Sequence, residues 1–377
     1  MRLNKLSSMI LAVALAASAV TVQADQIIIA TVPVGDAGNA ADSSGHSGNP
    51  DGQGAVSYNY SIGKTDVTND QYAAFLTAKA ASSDPYGLWS SYMESNGCGG
   101  IIRTGSGPYT YAVKSGQGSQ PVTCVSWYDT LRFANWLTNG QGNGDTESGS
   151  YTLLGGTATP TNGSTIIRNA GAKWVLPSED EWYKAAYYKG GDLNAGYWDY
   201  PTGSNTAPTA QAPPGGTNSA NYNSVVQNNT VNGIDYLTNA GAYSSSLSHY
   251  STLDQSGNVW QWNEANFSGS WRGLRGGSFT DGSSYLASST RNGTDPTAEY
   301  NVLVGFRVAS VPEPSTLALL TAGAFGLMGY RWRRRITRGT AQPTIAFGQS
   351  NQQDDTPTIL SFTSRPSYQP DSARRAA

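Results

Sequence analysis

The sequence is poor in the residues that most catalytic and metal sites use. It has two cysteines and two histidines among 377 residues, and only 13% of the residues are charged. His46 and His249 are too few and too far apart in sequence for the His-rich site of a typical catalytic zinc centre. No nucleophile elbow accompanies His249, which argues against a Ser-His-Asp hydrolase. Zinc and serine hydrolase chemistry are therefore disfavoured.

Positive charge and long apolar runs are also scarce. The formal net charge is −3, so no basic surplus exists to recruit nucleic acid, and we expect no nucleic-acid partner. The two apolar runs, 9–22 and 317–330, are shorter than the roughly 20 residues that a membrane-spanning helix needs. We therefore expect membrane contact only through a C-terminal sorting segment.

Glycine and aromatic residues are abundant instead. The chain has 44 glycines, 22 tyrosines and 10 tryptophans. This composition is typical of a loop-rich domain with a sizeable aromatic core, and it disfavours a helical bundle. The pair Cys98 and Cys124 leaves two alternatives open, one disulfide in an exported chain or two unpaired thiols.

The N-terminal segment has the pattern of a signal peptide. Arg2 and Lys5 precede an apolar run rich in alanine, and Val22-Gln-Ala24 gives the small-x-small pattern of a cleavage site. We predict a signal peptide over 1–24, with the mature, exported domain spanning 25–310.

The C-terminal segment carries a three-part pattern. Pro312, Glu313 and Pro314 precede the short apolar run, and the basic cluster Arg331-Trp-Arg-Arg-Arg335 follows it. This order resembles the PEP-CTERM sorting signal of Gram-negative bacteria, over 311–335. The resemblance implies an exosortase as processing partner, a short transmembrane segment, transient membrane anchoring and a final location in the envelope or outside the cell. The polar stretch 336–377 is predicted to be a disordered tail.

Local signals predict three helices and several short strands. Each helix begins at a Ser or Thr followed three residues later by an acidic or amide side chain, the pattern of a capping box. These pairs are Thr68 with Gln71, Ser126 with Asp129, and Ser178 with Glu181. Alternating or apolar runs predict strands at 27–34, 54–62, 258–262, 274–279 and 303–308, and a hairpin with surface loops within 140–172.

Two stretches concentrate glycine next to tryptophan and arginine. They are Gly257-Asn-Val-Trp-Gln-Trp-Asn263 and Arg272-Gly-Leu-Arg-Gly-Gly-Ser278. The pair Gly276 and Gly277 removes two side chains in a row, which allows another group to approach the main chain closely. These stretches are interpreted either as a rigid aromatic core or as the rim of a binding site built on that core.

Six motifs follow one another over roughly 50–310. They are Asp66-Val-Thr-Asn-Asp-Gln-Tyr-Ala-Ala-Phe-Leu76, Pro121-Val-Thr-Cys-Val-Ser-Trp127 with Phe133-Ala-Asn-Trp-Leu137, Leu176-Pro-Ser-Glu-Asp-Glu-Trp182, Gly257-Asn-Val-Trp-Gln-Trp262, Leu274-Arg-Gly-Gly-Ser278 and Gly305-Phe-Arg307. In this order they resemble the formylglycine-generating enzyme family, also called sulfatase-modifying factors. The resemblance implies an α+β domain with a variant of the C-type lectin fold, with short strands, few helices and many loops.

The catalytic residues of that family are not carried over. Its enzymes oxidise a sulfatase cysteine to formylglycine with two active-site cysteines that hold copper. The resemblance places those cysteines at Asp281 and Leu286. Because Cu(I) prefers soft thiolate ligands, copper is not expected here, and no catalytic residue is assigned. The matching cleft is retained as a candidate ligand pocket, with Trp260, Ser278, Asp281, Tyr285 and Arg291.

The resemblance also implies two calcium sites built from oxygen ligands, which suit a hard cation. The alternative is that these polar groups only fix loops by hydrogen bonds. The first site would use Asp254 and Gln261 with the carbonyls of Gly257 and Val259. The second would use Asn221 and Asn232 with the carbonyls of Tyr222 and Ile234.

Three functions follow as hypotheses. The first is an exported domain without catalytic activity that binds a glycan, a peptide or a partner at the envelope. The second is a divergent oxidoreductase of the same family, and the third is a structural component of the extracellular matrix. Whether the chain is an enzyme stays open, with the missing cysteine pair arguing against it.

Overall fold

The computed structural model describes residues 26–43, 48, 52–230 and 233–312. They all belong to one compact unit. The predicted signal peptide, the sorting residues Glu313 and Pro314, the short apolar segment and the C-terminal tail lie outside the described residues.

Three of the four described α-helices begin where the sequence predicts them, and the one-turn helix Tyr92–Ser95 was not predicted. The side chains of Thr68, Ser126 and Ser178 each accept a hydrogen bond from the main chain three residues later, and the reciprocal bond is present in all three capping boxes. The described helices are α1 (Asn69–Lys79), α2 (Tyr92–Ser95), α3 (Trp127–Thr138) and α4 (Glu179–Tyr187).

The strands are short and form small sheets, so the predicted loop-rich α+β class is confirmed. In chain order they are β1 (Thr31–Val34), β2 (Tyr60–Gly63), β3 (Ile101–Thr104), β4 (Thr110–Val113), β5 (Trp174–Val175), β6 (Thr209–Ala210), β7 (Ser219–Ala220), β8 (Asn228–Thr230), β9 (Gly233–Asp235), β10 (Trp260–Ser268), β11 (Trp271–Arg275), β12 (Asn292–Thr294), β13 (Val304–Gly305) and β14 (Ala309–Ser310).

Two four-stranded sheets organise the domain. One has the order β1-β2-β14-β5, in which Ala309 near the end of the domain pairs with both Ile62 and Val175. The other has the order β12-β11-β10-β13, with β10 antiparallel to β11 and parallel to β13. The pairs β3-β4, β6-β7 and β8-β9 each form a two-stranded sheet.

Aromatic side chains of α1 and α3 form the centre of the core. The ring centroids of Phe75 and Phe133 lie 5.3 Å apart, and those of Phe75 and Trp136 lie 5.2 Å apart. Phe306, just after β13, packs edge-on against Phe133 at 5.4 Å. Such edge-on ring pairs stabilise a core beyond the area that they bury, so this cluster fixes the two helices against the second sheet.

Several predicted strand positions need correction. The hairpin predicted within 140–172 is not formed, because Asn135 and Asn169 fix this segment as loops through hydrogen bonds to its main chain. The stretch 274–279 is a strand only up to Arg275, since Gly276 and Gly277 adopt positive φ values of 103° and 72°.

Candidate functional site

Strand β10 holds the aromatic and amide side chains of the candidate site. The amide oxygen of Gln261 accepts hydrogen bonds from Trp182 Nε1 at 2.7 Å and from Arg307 Nε at 2.6 Å. Its amide nitrogen donates to the main-chain oxygen of Asp254 at 2.5 Å. Gln261 therefore ties together α4, the segment after β13 and the loop before β10.

The glycine pair allows close packing, as the sequence predicted. A Cβ at Gly276 would lie 3.3 Å from the Trp182 indole, and one at Gly277 would lie 2.8 Å from Cδ1 of Leu286. The groups that approach the main chain here are thus protein side chains, together with the main-chain oxygens of Gln255 and Tyr285. Leu286 is fully buried and packs with Tyr222.

Four of the five predicted pocket residues are linked in pairs. The Asp281 carboxylate accepts from the main-chain nitrogen of Ser278 at 2.8 Å and from its hydroxyl at 2.5 Å. The Trp260 ring meets the Tyr285 ring edge-on at 6.1 Å. Ser278 is fully buried and Trp260 is 4% exposed, whereas Tyr285 is 46% exposed. Tyr285 is therefore the most exposed of these four residues, and Asp281 is partly exposed beside it.

Arg291, the fifth pocket residue, is engaged elsewhere. Its guanidinium donates to both carboxylate oxygens of Glu179, at 2.6 Å each. Arg275 donates to the same carboxylate through Nε at 2.9 Å. Burial raises the pKa of Glu179, but the hydrogen bonds and charges of the two arginines outweigh it, so that the net pKa is lowered.

Comparison with known protein families shows which family the chain belongs to. The model of the sulfatase-modifying factor enzyme 1-like domain matches residues 16–311. The chain belongs to this family. The match begins inside the predicted signal peptide, which itself stays a prediction.

Three solved structures are among those similar to this chain. A variable protein 1 from Treponema denticola is 22% identical, with 75% of this chain and 95% of that one covered and a TM-score of 0.45. CarF is 22% identical, with 76% and 99% covered and a TM-score of 0.47. PvdO from Pseudomonas aeruginosa is 15% identical, with 75% and 92% covered and a TM-score of 0.40. No curated protein matches the chain.

The PEP-CTERM protein-sorting motif matches residues 310–335. This motif marks an exported, envelope-associated protein whose C-terminal sorting segment is processed by an exosortase. Among the described residues, Pro312 is the only member of the Pro-Glu-Pro group. No helix in the described part of the chain is long and apolar enough to cross a membrane.

The residues at the copper positions of the sulfatase-modifying factor family do not fit copper. Asp281 is bonded to Ser278, and Leu286 has no donor atom. Cys98 and Cys124 are both free and buried thiols. Burial raises the pKa of Cys98 to about 11 and that of Cys124 to about 12. Since the thiolate is the copper-binding form, protonated, buried thiols are poor substitutes for the missing pair.

The side chains predicted for the first calcium site already accept hydrogen bonds from other groups of the protein. The Gln261 oxygen already accepts two, and the Asp254 carboxylate accepts from the main-chain nitrogen of Gly241 at 2.7 Å. Burial raises the pKa of Asp254 to about 6, against the opposing charge of Arg307. Gly257 forms an isolated bridge with Asn221, and its main-chain nitrogen donates to the Gly276 carbonyl at 2.8 Å. These contacts weigh against a cation at this site.

The second predicted calcium site retains one free oxygen. Oδ1 of Asn221 is buried and has no hydrogen-bond partner, while its nitrogen donates to the Tyr236 carbonyl at 2.7 Å. Tyr222 follows Asn221, Ile234 lies in β9, and Asn232 lies outside the described residues. Among the described residues, no three His, Cys, Asp or Glu side chains group as a metal site. Asn221 fits a cation better than Gln261 does, and calcium stays a prediction.

Buried ion pairs around the site were missed by the sequence interpretation. Arg168 bridges Glu181 and Glu264 at 2.8 and 2.9 Å, and Arg307 pairs with Asp66 at 3.2 Å. Glu181 carried a sequence signal as the third residue of a capping box, and Asp66 and Arg307 stand in two of the six motifs, but none of these signals indicated a charged partner. The partner of each arginine is at least 13 residues away in sequence, so spacing gave no indication of these pairs.

Proposed function

We propose that this exported, envelope-sorted protein binds a ligand or partner and has no oxidase activity of the family type. The observation that supports it best is the pair Asp281 and Leu286 at the copper positions. The buried isobutyl group of Leu286 packs against Gly277, so that side chain fills the space instead of offering a ligand. Restoring the chemistry would require two thiolates at these positions.

Tyr285 is the proposed contact residue of the predicted pocket. Its ring is half-exposed and rests edge-on against Trp260, which is held in β10. A rigid, partly exposed aromatic ring suits the face of a sugar ring or an apolar peptide side chain. The neighbouring turn is fixed by the bond of Ser278 to Asp281, so the contact surface is preorganised.

The test is binding of the purified full chain to glycan and peptide arrays. We expect a specific hit, and we expect Tyr285→Ala to weaken it about tenfold, because exposed aromatic anchors carry a large share of binding energy. Tyr92→Ala is the matched control, since Tyr92 on α2 is 47% exposed. Arrays run with calcium and with chelator also show whether calcium contributes.

No hit on either array would favour a structural matrix component. A hit unaffected by Tyr285→Ala would place the ligand outside the predicted pocket.

A further inference from the structure

The folded domain continues up to the first residue of the sorting motif. Ser310, the last residue of β14, pairs with Trp174 in β5. The main-chain nitrogen of Val311 then donates to the Lys173 carbonyl at 3.0 Å. Pro312, the first residue of the Pro-Glu-Pro group, follows directly in the chain. The motif therefore begins without a spacer after the sheet.

Covalent geometry keeps the whole motif close to the domain. Pro314 follows Pro312 by two residues, and two Cα–Cα steps along a chain span at most about 8 Å. An enzyme that binds the Pro-Glu-Pro group must therefore come into contact with the domain surface around Pro312. Because the matched motif is processed by an exosortase, this surface is the part of the domain that the enzyme meets.

The surface at this point contains a hollow of about 390 Å³. Its lining consists of Tyr58, the segment 168–172, and Val311 with Pro312. Most of the exposed lining is made of apolar atoms. Exposed apolar surface that adjoins a recognition motif is typical of a protein–protein contact.

Tyr58 contributes a fixed aromatic ring to the lining. Its hydroxyl donates to Glu181 Oε1 at 2.6 Å, and its ring meets that of Tyr60 edge-on, with the centroids 6.2 Å apart. The side chain is nevertheless 37% exposed. Because these contacts already hold the ring in place, a partner that packs on it loses little affinity to the ordering of a side chain.

The segment 168–172 gives the hollow an open, preformed wall. The main-chain nitrogen of Ala172 donates to the Asn169 carbonyl at 3.3 Å, which closes a tight turn. Gly171 in this turn has a φ of 78°, and a Cβ at this position would point into open space among the described residues. Ala170 and Gly171 are both exposed, so a side chain of a partner can approach this turn closely.

The hollow offers little free charge. Its charged lining residue, Arg168, pairs with Glu181 and Glu264 at 2.8 and 2.9 Å. The other described lining residues are uncharged. The hollow therefore suits an apolar side chain of a partner better than an ionic one.

We propose that the surface around this hollow is a docking site for the exosortase, which packs an apolar side chain against Tyr58 and Ala170 while it binds the Pro-Glu-Pro group. The continuity of the hollow with the motif carries this inference, since Pro312 belongs to both. Two linked contacts bind more tightly than a three-residue motif alone, because the second contact forms at a high effective concentration.

The first test is a pulse–chase of the full chain in a Gram-negative host that contains its exosortase, with loss of the C-terminal segment followed by mass. We expect Ala170→Trp, which fills the hollow, to slow processing about tenfold, the effect of losing one central contact of an interface. Because Ala170 is exposed, the melting temperature should be unchanged. Ala112→Trp, at an exposed position of β4 outside the lining, is the control and should be processed at the wild-type rate. An Ala170→Trp chain processed at the wild-type rate would overturn the proposal.

A spacer tests the docking site without any substitution in the hollow. About eight Gly and Ser residues inserted between Val311 and Pro312 separate the domain surface from the motif by a flexible link. We expect processing to slow at least about threefold, and Ala170→Trp to have a smaller effect in the chain with the spacer. If the spacer leaves processing unchanged or accelerates it, or if Ala170→Trp acts equally with and without the spacer, the surface does not assist the enzyme and the proposal is wrong.

Photo-crosslinking identifies what occupies the hollow. With p-benzoylphenylalanine in place of Ala170, illumination of the cells should give an adduct that mass spectrometry identifies as the exosortase, and the same replacement of Ala112 should not. Adducts only with a second copy of the chain, with its own segment 317–330 or with lipid would contradict the proposal, as would the absence of any adduct. Tyr285→Ala should leave processing unchanged, which separates this docking site from the ligand pocket of the proposed function.

Discussion

Arg307→Met is expected to lower the free energy of unfolding by about 3–5 kcal/mol, the usual cost of breaking a buried ion pair by removing one partner. The Arg307 side chain is fully buried and donates to the Gln261 amide and to the carbonyls of Gly63 and Leu253. It also pairs with Asp66, whose other oxygen has no partner. The variant would leave a buried carboxylate without its cation. Urea denaturation at pH 7 measures the effect.

Arg291→Met is the control, because Arg291 is 22% exposed and its partner Glu179 keeps a second arginine. This control should lower the free energy of unfolding by about 1 kcal/mol. The double variant Arg307→Met/Asp66→Leu should recover part of the loss, since it removes the unpaired charge. An Arg307→Met protein within 1 kcal/mol of the wild type would contradict this account of the core.

Arg168→Met is expected to lower the free energy of unfolding by about 2–4 kcal/mol at pH 7. This is less than the loss expected for a fully buried ion pair, because Arg168 is 19% exposed. Its guanidinium is the cation shared by Glu181 and Glu264. Burial raises the pKa of Glu181, but the hydrogen bonds and charge of Arg168 outweigh it, so the net pKa is lowered. Burial raises the pKa of Glu264, and Arg168 opposes that rise.

The pKa shifts determine in which direction the effect of Arg168→Met on stability changes with pH. A lowered folded pKa means that the stabilisation by Glu181 is present above its unfolded pKa and is lost as pH falls through the folded value. Without Arg168, both carboxyls would be protonated more readily in the folded state. The difference in unfolding free energy between wild type and Arg168→Met should therefore shrink from pH 7 to pH 4 in urea titrations. Arg103→Met, at a 28% exposed arginine 3.9 Å from Asp84, should cost less than about 1 kcal/mol. The assigned role of Arg168 would be refuted if the difference in unfolding free energy between wild type and Arg168→Met increased from pH 7 to pH 4.

The helices could be predicted from sequence because their signals are local. Each capping box places both partners within four residues, as with Ser178 and Glu181, and the structure has all three. The strands were located less well. β14 is two residues long and exists because Ala309 pairs with Ile62 and Val175, both far away in sequence. The hairpin of β3 and β4 was missed for a different reason: its strands pair locally, but four-residue strands carry little periodic signal.

The sequence predicted which residues belong to the candidate site better than it predicted the contacts that they make. The close approach to Gly276 and Gly277 was expected, and the structure supplies Trp182 and Leu286 as the approaching groups. Arg291 was placed in the pocket, but its pairing with Glu179 depends on how α4 packs. The two hydrogen bonds to the Gln261 oxygen likewise come from residues 79 and 46 positions away. Such contacts between distant segments are not encoded in local spacing.

The most direct test of the central claim is the oxidation of a cysteine in a sulfatase-type peptide by the purified full chain, supplied with copper(I) and oxygen and followed by mass spectrometry. With Asp281 and Leu286 in place of the copper-binding pair, we predict no formylglycine above the level found without the protein, and the same result for the double variant Cys98→Ser/Cys124→Ser. Copper-dependent turnover by the wild type would contradict the account, and its loss in the double variant would assign that turnover to Cys98 and Cys124.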